Sequence, residues 1–130
     1  MKIEKFAAID IGSNAIRLLI ANVVIKKSFP IKFIKSSIVR VPIRLGEESF
    51  TIGEISSKNI KKIVKTIKAF NYIINVNEVK SSLAFATSAL REANNSKEVI
   101  QEVKKKTKLK IEIIDGRKEA KIISLNNIFE

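Results

Sequence analysis

The chain has no cysteine and no histidine. The first absence excludes a disulfide framework and a thiolate metal site, and the second removes the commonest general base and metal ligand. Acid–base chemistry must then rest on carboxylates or lysine. Carboxylates are scarce: 13 Asp+Glu stand against 25 Lys+Arg, and Asp10 and Asp115 are the only aspartates. No apolar run approaches the roughly 18 residues of a membrane span. Met1-Lys2-Ile3-Glu4-Lys5-Phe6 leads straight into a strand pattern without a signal-peptide core. The expected address is therefore the cytoplasm, with no membrane partner. Aromatics are few, seven Phe and one Tyr, at core-like spacing. They do not interleave with cations as in many nucleic-acid binders, and no RNA or DNA motif is present. No repeat, low-complexity tract or linker interrupts the chain.

What is present fits one domain over residues 1–130, with 45% hydrophobic and 29% charged residues. That length and composition can bury a core. The formal charge is +12, a field that draws polyphosphate or, non-specifically, nucleic acid. Twenty of the cations are lysines, mostly on polar helix faces or in Lys104-Lys105-Lys106, with Lys108 and Lys110 just beyond. A solvated lysine-rich surface is the plainer account, and a polyanion track is the other. Two of the five arginines, Arg17 and Arg91, lie inside the most suggestive motifs, and a guanidinium fork suits phosphate better than an ammonium does.

The first motif is Asp10, which ends the apolar run Phe6-Ala7-Ala8-Ile9-Asp10-Ile11 and precedes Gly12-Ser13-Asn14. The run reads as a strand buried on both faces, where an unpaired carboxylate costs several kcal/mol. Asp10 is therefore expected at the strand end, facing a site. Gly12 permits a tight turn and close approach to a ligand, and Ser13 and Asn14 offer donors that can hold phosphate. Ala15-Ile16-Arg17-Leu18-Leu19-Ile20 returns as a second strand. The same residues also satisfy ordinary hairpin turn chemistry.

Strands are expected at about 3–11, 15–26 and 31–43, joined as an antiparallel meander, with Pro42 marking an edge or strand end. Arg44-Leu45-Gly46-Glu47-Glu48 reads as a loop. Ile55-Ser56-Ser57 introduces a helix whose Ile60, Ile63, Val64, Ile67 and Phe70 form an apolar stripe. Ser82–Ala86 reads as a strand, and Thr87–Ala93 as a short helical turn capped by Thr87. A helix over about 96–106 and a strand over 109–114 follow, and Asp115-Gly116 then turns into a last helix through Glu119 to about Ile128. The order β-β-β-α-β-α-β-α gives an α/β domain with a mixed five-stranded sheet, antiparallel at the start and parallel later.

In open α/β sheets ligands bind beyond the carboxyl ends of strands. Three such ends carry polar residues: Asp10 to Asn14, Thr87-Ser88 with Arg91, and Asp115-Gly116-Arg117-Lys118-Glu119. Free amides at the Thr87/Ser88 helix start would favour an anion, with Arg91 adding charge. Glu119 could take a proton from an attacking water. Taken singly, each has a plainer account as an N-cap, a surface ion or a turn.

The segments Ala8 to Ile20, Val41-Pro42-Ile43-Arg44-Leu45-Gly46, Ala86 to Asn94 and Ile113 to Ala120 together resemble the N-terminal lobe of the exopolyphosphatase / guanosine pentaphosphate phosphohydrolase (Ppx/GppA) family. The resemblance covers nearly the whole chain, in order. It implies a ribonuclease H-like lobe of the actin-like ATPase superfamily and hydrolysis of the terminal phosphate of inorganic polyphosphate or of the 5′ γ-phosphate of guanosine pentaphosphate, with magnesium. By motif position, Asp10 would help hold magnesium through water. Gly12, Ser13, Asn14, Arg17, Thr87, Ser88 and Arg91 would bind phosphate, and Glu119 would be the catalytic base. Asp115 stands where a serine is usual, and Lys118 where an acidic residue is.

Relatives continue into a second lobe that opens with an Asp-x-Gly-Gly-Gly-Ser-type loop, which nothing in this sequence supplies. The resemblance therefore implies half of a cleft, inactive as an isolated lobe, with the second lobe as partner and a homodimer at full length. Two rivals stand beside it. One is an actin-like sugar-kinase-type lobe, which would lack the Ala-Thr-Ser-Ala-Leu-Arg-Glu-Ala match. The other is a non-enzymatic basic module for polyanions or nucleic acid, supported by charge alone.

Overall fold

In the computed structural model, which describes residues 2–26, 29–115 and 117, the first strand, β1 (Lys2–Ile11), buries alternate residues. Ala7, Ile9 and Ile11 are enclosed, while Phe6, Ala8 and Asp10 between them are only partly covered. The expectation of burial on both faces is therefore corrected to one buried and one half-open face, the pattern of an antiparallel sheet. β2 (Ala15–Lys26) runs back antiparallel in the register Ile11↔Ile16 and Asp10↔Arg17. β3 (Phe29–Pro42) pairs antiparallel with β2, and its register shifts twice, between Ile20/Ala21 and between Val24/Lys26. Pro42 closes β3, which is an edge strand, where a residue without an N–H is tolerated.

The expected loop after Ile43 is instead a short helix, α1 (Leu45–Thr51). Seven residues cannot hold a helix by themselves. Here Leu45 is fully buried in the core and Ser49 donates to the Ala89 carbonyl, so tertiary contacts decide the conformation. α2 (Ser57–Val76) begins as expected: the Ser56 side chain accepts from the Asn59 amide at 3.2 Å. Its stripe of Ile63, Val64, Ile67 and Phe70 is buried, with Ile60 packed against the core.

β4 (Ser81–Ala86) then inserts beside β1 in parallel, with Ile11↔Ala86. α3 (Ser88–Glu92) follows at once, with Thr87 at the capping position but making no side-chain cap bond, contrary to expectation. α4 (Ser96–Thr107) leads to β5 (Ile111–Ile113), shorter than expected and parallel to β4. The sheet order is β3-β2-β1-β4-β5, antiparallel on one side of β1 and parallel on the other. α2 and α4 pack together over the face that carries Ile9, Ile11, Ile16, Leu18, Ala84 and Ile111. The helix expected over Glu119 to Ile128 lies outside the described residues. No helix among the described residues is long and apolar enough to cross a membrane.

Candidate functional site

The carboxyl ends of β1 and β4 lie side by side, and the loops that leave them meet. The Gly12 amide donates to the Ala15 carbonyl at 3.0 Å, closing the hairpin. A Cβ at Gly12 would come within 3.2 Å of that same carbonyl oxygen, a tight approach that glycine relieves. The Thr87 amide donates to Ile11 O at 3.2 Å, and the Ser13 and Ser88 hydroxyls are 3.1 Å apart. Gly12, Ser13 and Ser88 therefore meet half-covered at this sheet edge, with Thr87 buried beneath them and Asn14 exposed at the hairpin tip.

α1 braces this surface from the side. The Gly46 amide donates to Ser13 O at 2.9 Å, and a Cβ at Gly46 would lie 3.1 Å from the Ser13 Cβ. Further back, Asn95 accepts from the Ile55 amide at 3.0 Å and donates to the Ile55 carbonyl at 2.9 Å, while the Asn94 amide reaches Gly53 O at 2.7 Å. These bonds fasten the connection between α1 and α2 to the turn that ends α3. A five-residue helix is thereby held in place by its surroundings.

The charged groups are less free than their sequence positions suggest. Asp10 Oδ2 accepts from Arg17 Nε at 3.2 Å and also from Arg17 Nη2, directly across the strand pair. Asp10 Oδ1 is shut away from solvent with no hydrogen-bond partner, 3.9 Å from where a Cβ at Gly12 would lie. Leaving such an oxygen unsatisfied costs about 1–3 kcal/mol. Arg91 Nη1 donates to the Ile114 carbonyl at 2.7 Å, and the Ile114 amide donates to Ala86 O at 3.0 Å. Arg91 thus ties α3 to the exit of β5, where Asp115 lies. Gly116, Lys118 and Glu119 fall outside the described residues.

Among the described residues no group of three or more acidic side chains converges on one point. Asp10 is the one carboxylate expected at the site that they include. One carboxylate, whose outer oxygen Oδ2 is shared with Arg17 while Oδ1 is enclosed, suits a magnesium ion that keeps most of its waters and completes its shell with substrate phosphates. A residue that sequence reasoning missed is Arg40, placed opposite Arg17 on the neighbouring strand and exposed.

The strand order, the mixed sheet and the paired loops at its carboxyl edge define a ribonuclease H-like, actin-type lobe. Residues 20–127 match the Ppx/GppA phosphatase family. The chain belongs to that family. It is 29% identical over 121 residues to Exopolyphosphatase 1 of Mycobacterium tuberculosis, covering 93% of this chain and 34% of that protein. It is 38% identical over 119 residues to the bifunctional 3-dehydroquinate synthase/phosphatase of Fusobacterium nucleatum, covering 89% of this chain and 18% of that one. Among solved structures, the Ppx/GppA family member of Aquifex aeolicus superposes with a TM-score of 0.81 at 30% identity, over 91% of this chain and 37% of its own. An exopolyphosphatase from Cytophaga hutchinsonii gives 0.80 at 28% identity, over 91% and 36%. The chain thus spans about a third or less of the length of the relatives it matches.

Proposed function

We propose that this chain is the phosphate-holding lobe of a magnesium-dependent phosphohydrolase that releases the terminal phosphate of inorganic polyphosphate or the 5′ γ-phosphate of guanosine pentaphosphate. The observation that carries this reading is the junction of the two loops, Ser13 with Ser88 at 3.1 Å, on adjacent parallel strand ends. The likeness to the mycobacterial relative, an exopolyphosphatase, supports the substrate class. Membership of the family sets aside the sugar-kinase reading, and nothing beyond charge favours a nucleic-acid module.

In this reading the Gly12 to Asn14 turn and the Thr87-Ser88 start of α3 cradle the phosphate, and Asp10 holds magnesium through water. Bound there, the ion would neutralise charge on the phosphoryl oxygens. Arg17 and Arg91 add cationic donors beside the cradle, and Glu119 takes the proton of the attacking water. Donors are needed on both sides of a phosphoryl group, so a second lobe is required, and the full-length protein is read as a homodimer.

The test is phosphate release with magnesium. A longer protein containing this lobe is expected to release phosphate from polyphosphate or guanosine pentaphosphate, and purified residues 1–130 almost none from either. Robust turnover by residues 1–130 would show that the second lobe is dispensable, and a longer protein inactive on both substrates would end the reading.

A further inference from the structure

Asp10, Arg17 and Arg40 stand in a row across three neighbouring strands, since Asp10 pairs with Arg17 and Arg17 with Arg40. Residues directly opposite one another share a face of the sheet, so the three side chains leave the same side. The two oxygens of Asp10 are not equivalent. Oδ1 is buried and without a partner, whereas Oδ2 takes both bonds from Arg17. The side chain of Asp10 keeps 18% exposure, and Oδ1 contributes almost nothing to it. The oxygen that a hydrated cation can reach is therefore already held by a guanidinium.

Arg17 can leave, because its side chain is 51% exposed. Arg40 is exposed, and it makes no ion pair among the described residues. Like charges directly opposite on paired strands repel. Arg17 is thus drawn to Asp10 on one side and pushed away from Arg40 on the other. An anion lying between two guanidiniums relieves their repulsion, and phosphate matches their fork geometry.

We propose that Arg17 exchanges partners. It neutralises Asp10 while no cation is bound, and when a divalent cation takes Oδ2 it turns to join Arg40 in clamping phosphate oxygens of the anionic substrate. The inference rests on the reading of Asp10 as the cation-holding carboxylate and adds Arg40 to the phosphate site. Its consequence is coupling: cation binding frees the clamp, so cation and phosphate favour one another beyond their direct contact.

The test titrates residues 1–130 with Mn²⁺, followed by the loss of the free-ion paramagnetic resonance signal, and then with inorganic tripolyphosphate at saturating Mn²⁺. Circular dichroism confirms that each variant is folded. Arg17→Gln is expected to bind Mn²⁺ about two- to fivefold more tightly than the unaltered chain, the size of an exposed ion pair. Arg40→Gln, which removes no bond to Asp10, should move Mn²⁺ affinity less. Both variants should bind tripolyphosphate several-fold more weakly when Mn²⁺ is present. Asp10→Asn separates the two levels of inference. If it binds Mn²⁺ as well as the unaltered chain does, the reading of Asp10 fails. If it binds more weakly while Arg17→Gln binds no more tightly, the partner exchange alone is overturned.

Discussion

Near the carboxyl edge of the sheet three arginines hold partners: Arg17 on Asp10, Arg44 on Glu47 at 3.3 Å and Arg91 on the Ile114 carbonyl. On the outer faces of α2 and α4 the cations do not. None of the five lysines of α2 makes an ion pair among the described residues, and on α4 only Lys106 reaches a carboxylate, Glu102 at 2.9 Å. Between these helices runs a groove of about 460 Å³ with Lys61, Lys65 and Lys68 on one wall and Glu98 and Glu102 on the other. The difference is one of entropy and geometry. A guanidinium placed by strand register beside a partner presents its planar fork in a set direction, whereas a solvated ammonium contributes field but no fixed contact. Most of the +12 charge is therefore far less informative about the site than the few arginines placed by strand register.

The sharpest way to break this comparison is to remove a group at the loop end that is expected to act in chemistry. In a longer active protein containing this lobe, Glu119→Gln should cut kcat by about 10²–10⁴-fold with KM little changed. Near-normal kcat in steady-state assays would transfer the search for the base to Asp10 or to the second lobe.

The next effect is on the turn itself. Gly12→Ala places a methyl 3.2 Å from the Ala15 carbonyl oxygen, a backbone atom that cannot swing away. It should lower stability by about 1–3 kcal/mol, read from urea unfolding midpoints, and weaken phosphate binding. A full-stability variant that binds phosphate normally would mean that the hairpin is not the tight element described above.

A smaller effect concerns pH. Burial pushes the Glu48 carboxyl up, but hydrogen bonds from the Ser56 amide and hydroxyl and from Asn59, with the charge of Lys58, outweigh it and hold the group below the usual glutamate value. A carboxyl depressed in the folded state stabilises above its unfolded pKa, and the contribution is lost as pH falls through the folded value. Melting temperatures measured from about pH 6 down to pH 3 should therefore fall less steeply for Glu48→Gln than for the unaltered chain. Parallel curves would show that Glu48 does not tie α1 to α2 through charge.

The smallest effect is expected on the lysine face. Replacing Lys61, Lys65 and Lys68 together by Gln should change stability by no more than about 0.5 kcal/mol each. It should also flatten the salt dependence of duplex DNA binding by up to about 0.9 per lost phosphate contact. Sequence-selective DNA binding that persists at moderate salt would reverse the comparison and make this face the functional one.

Much of the architecture was legible in the residues. Apolar runs bounded by turns located β1, β2 and β4, the i, i+3, i+4 stripe located α2, and Pro42 marked an edge or strand end. These features are local, set by side-chain spacing and backbone sterics. The three polar strand ends were visible too, because the carboxyl edge of an open sheet is where such residues collect. What neighbours do to one another was not visible. Leu45–Thr51 is helical because of Ser49, Gly46 and the core, not because of its own propensity. Arg40 stands opposite Arg17 only because two register shifts in β2 and β3 move the pairing by two residues from where the Lys26↔Phe29 hairpin end would set it. By itself the sequence determined the elements and the chemistry available at their ends. The tertiary structure decided which of those charged groups face one another, because register and close approach depend on contacts between residues distant in the chain.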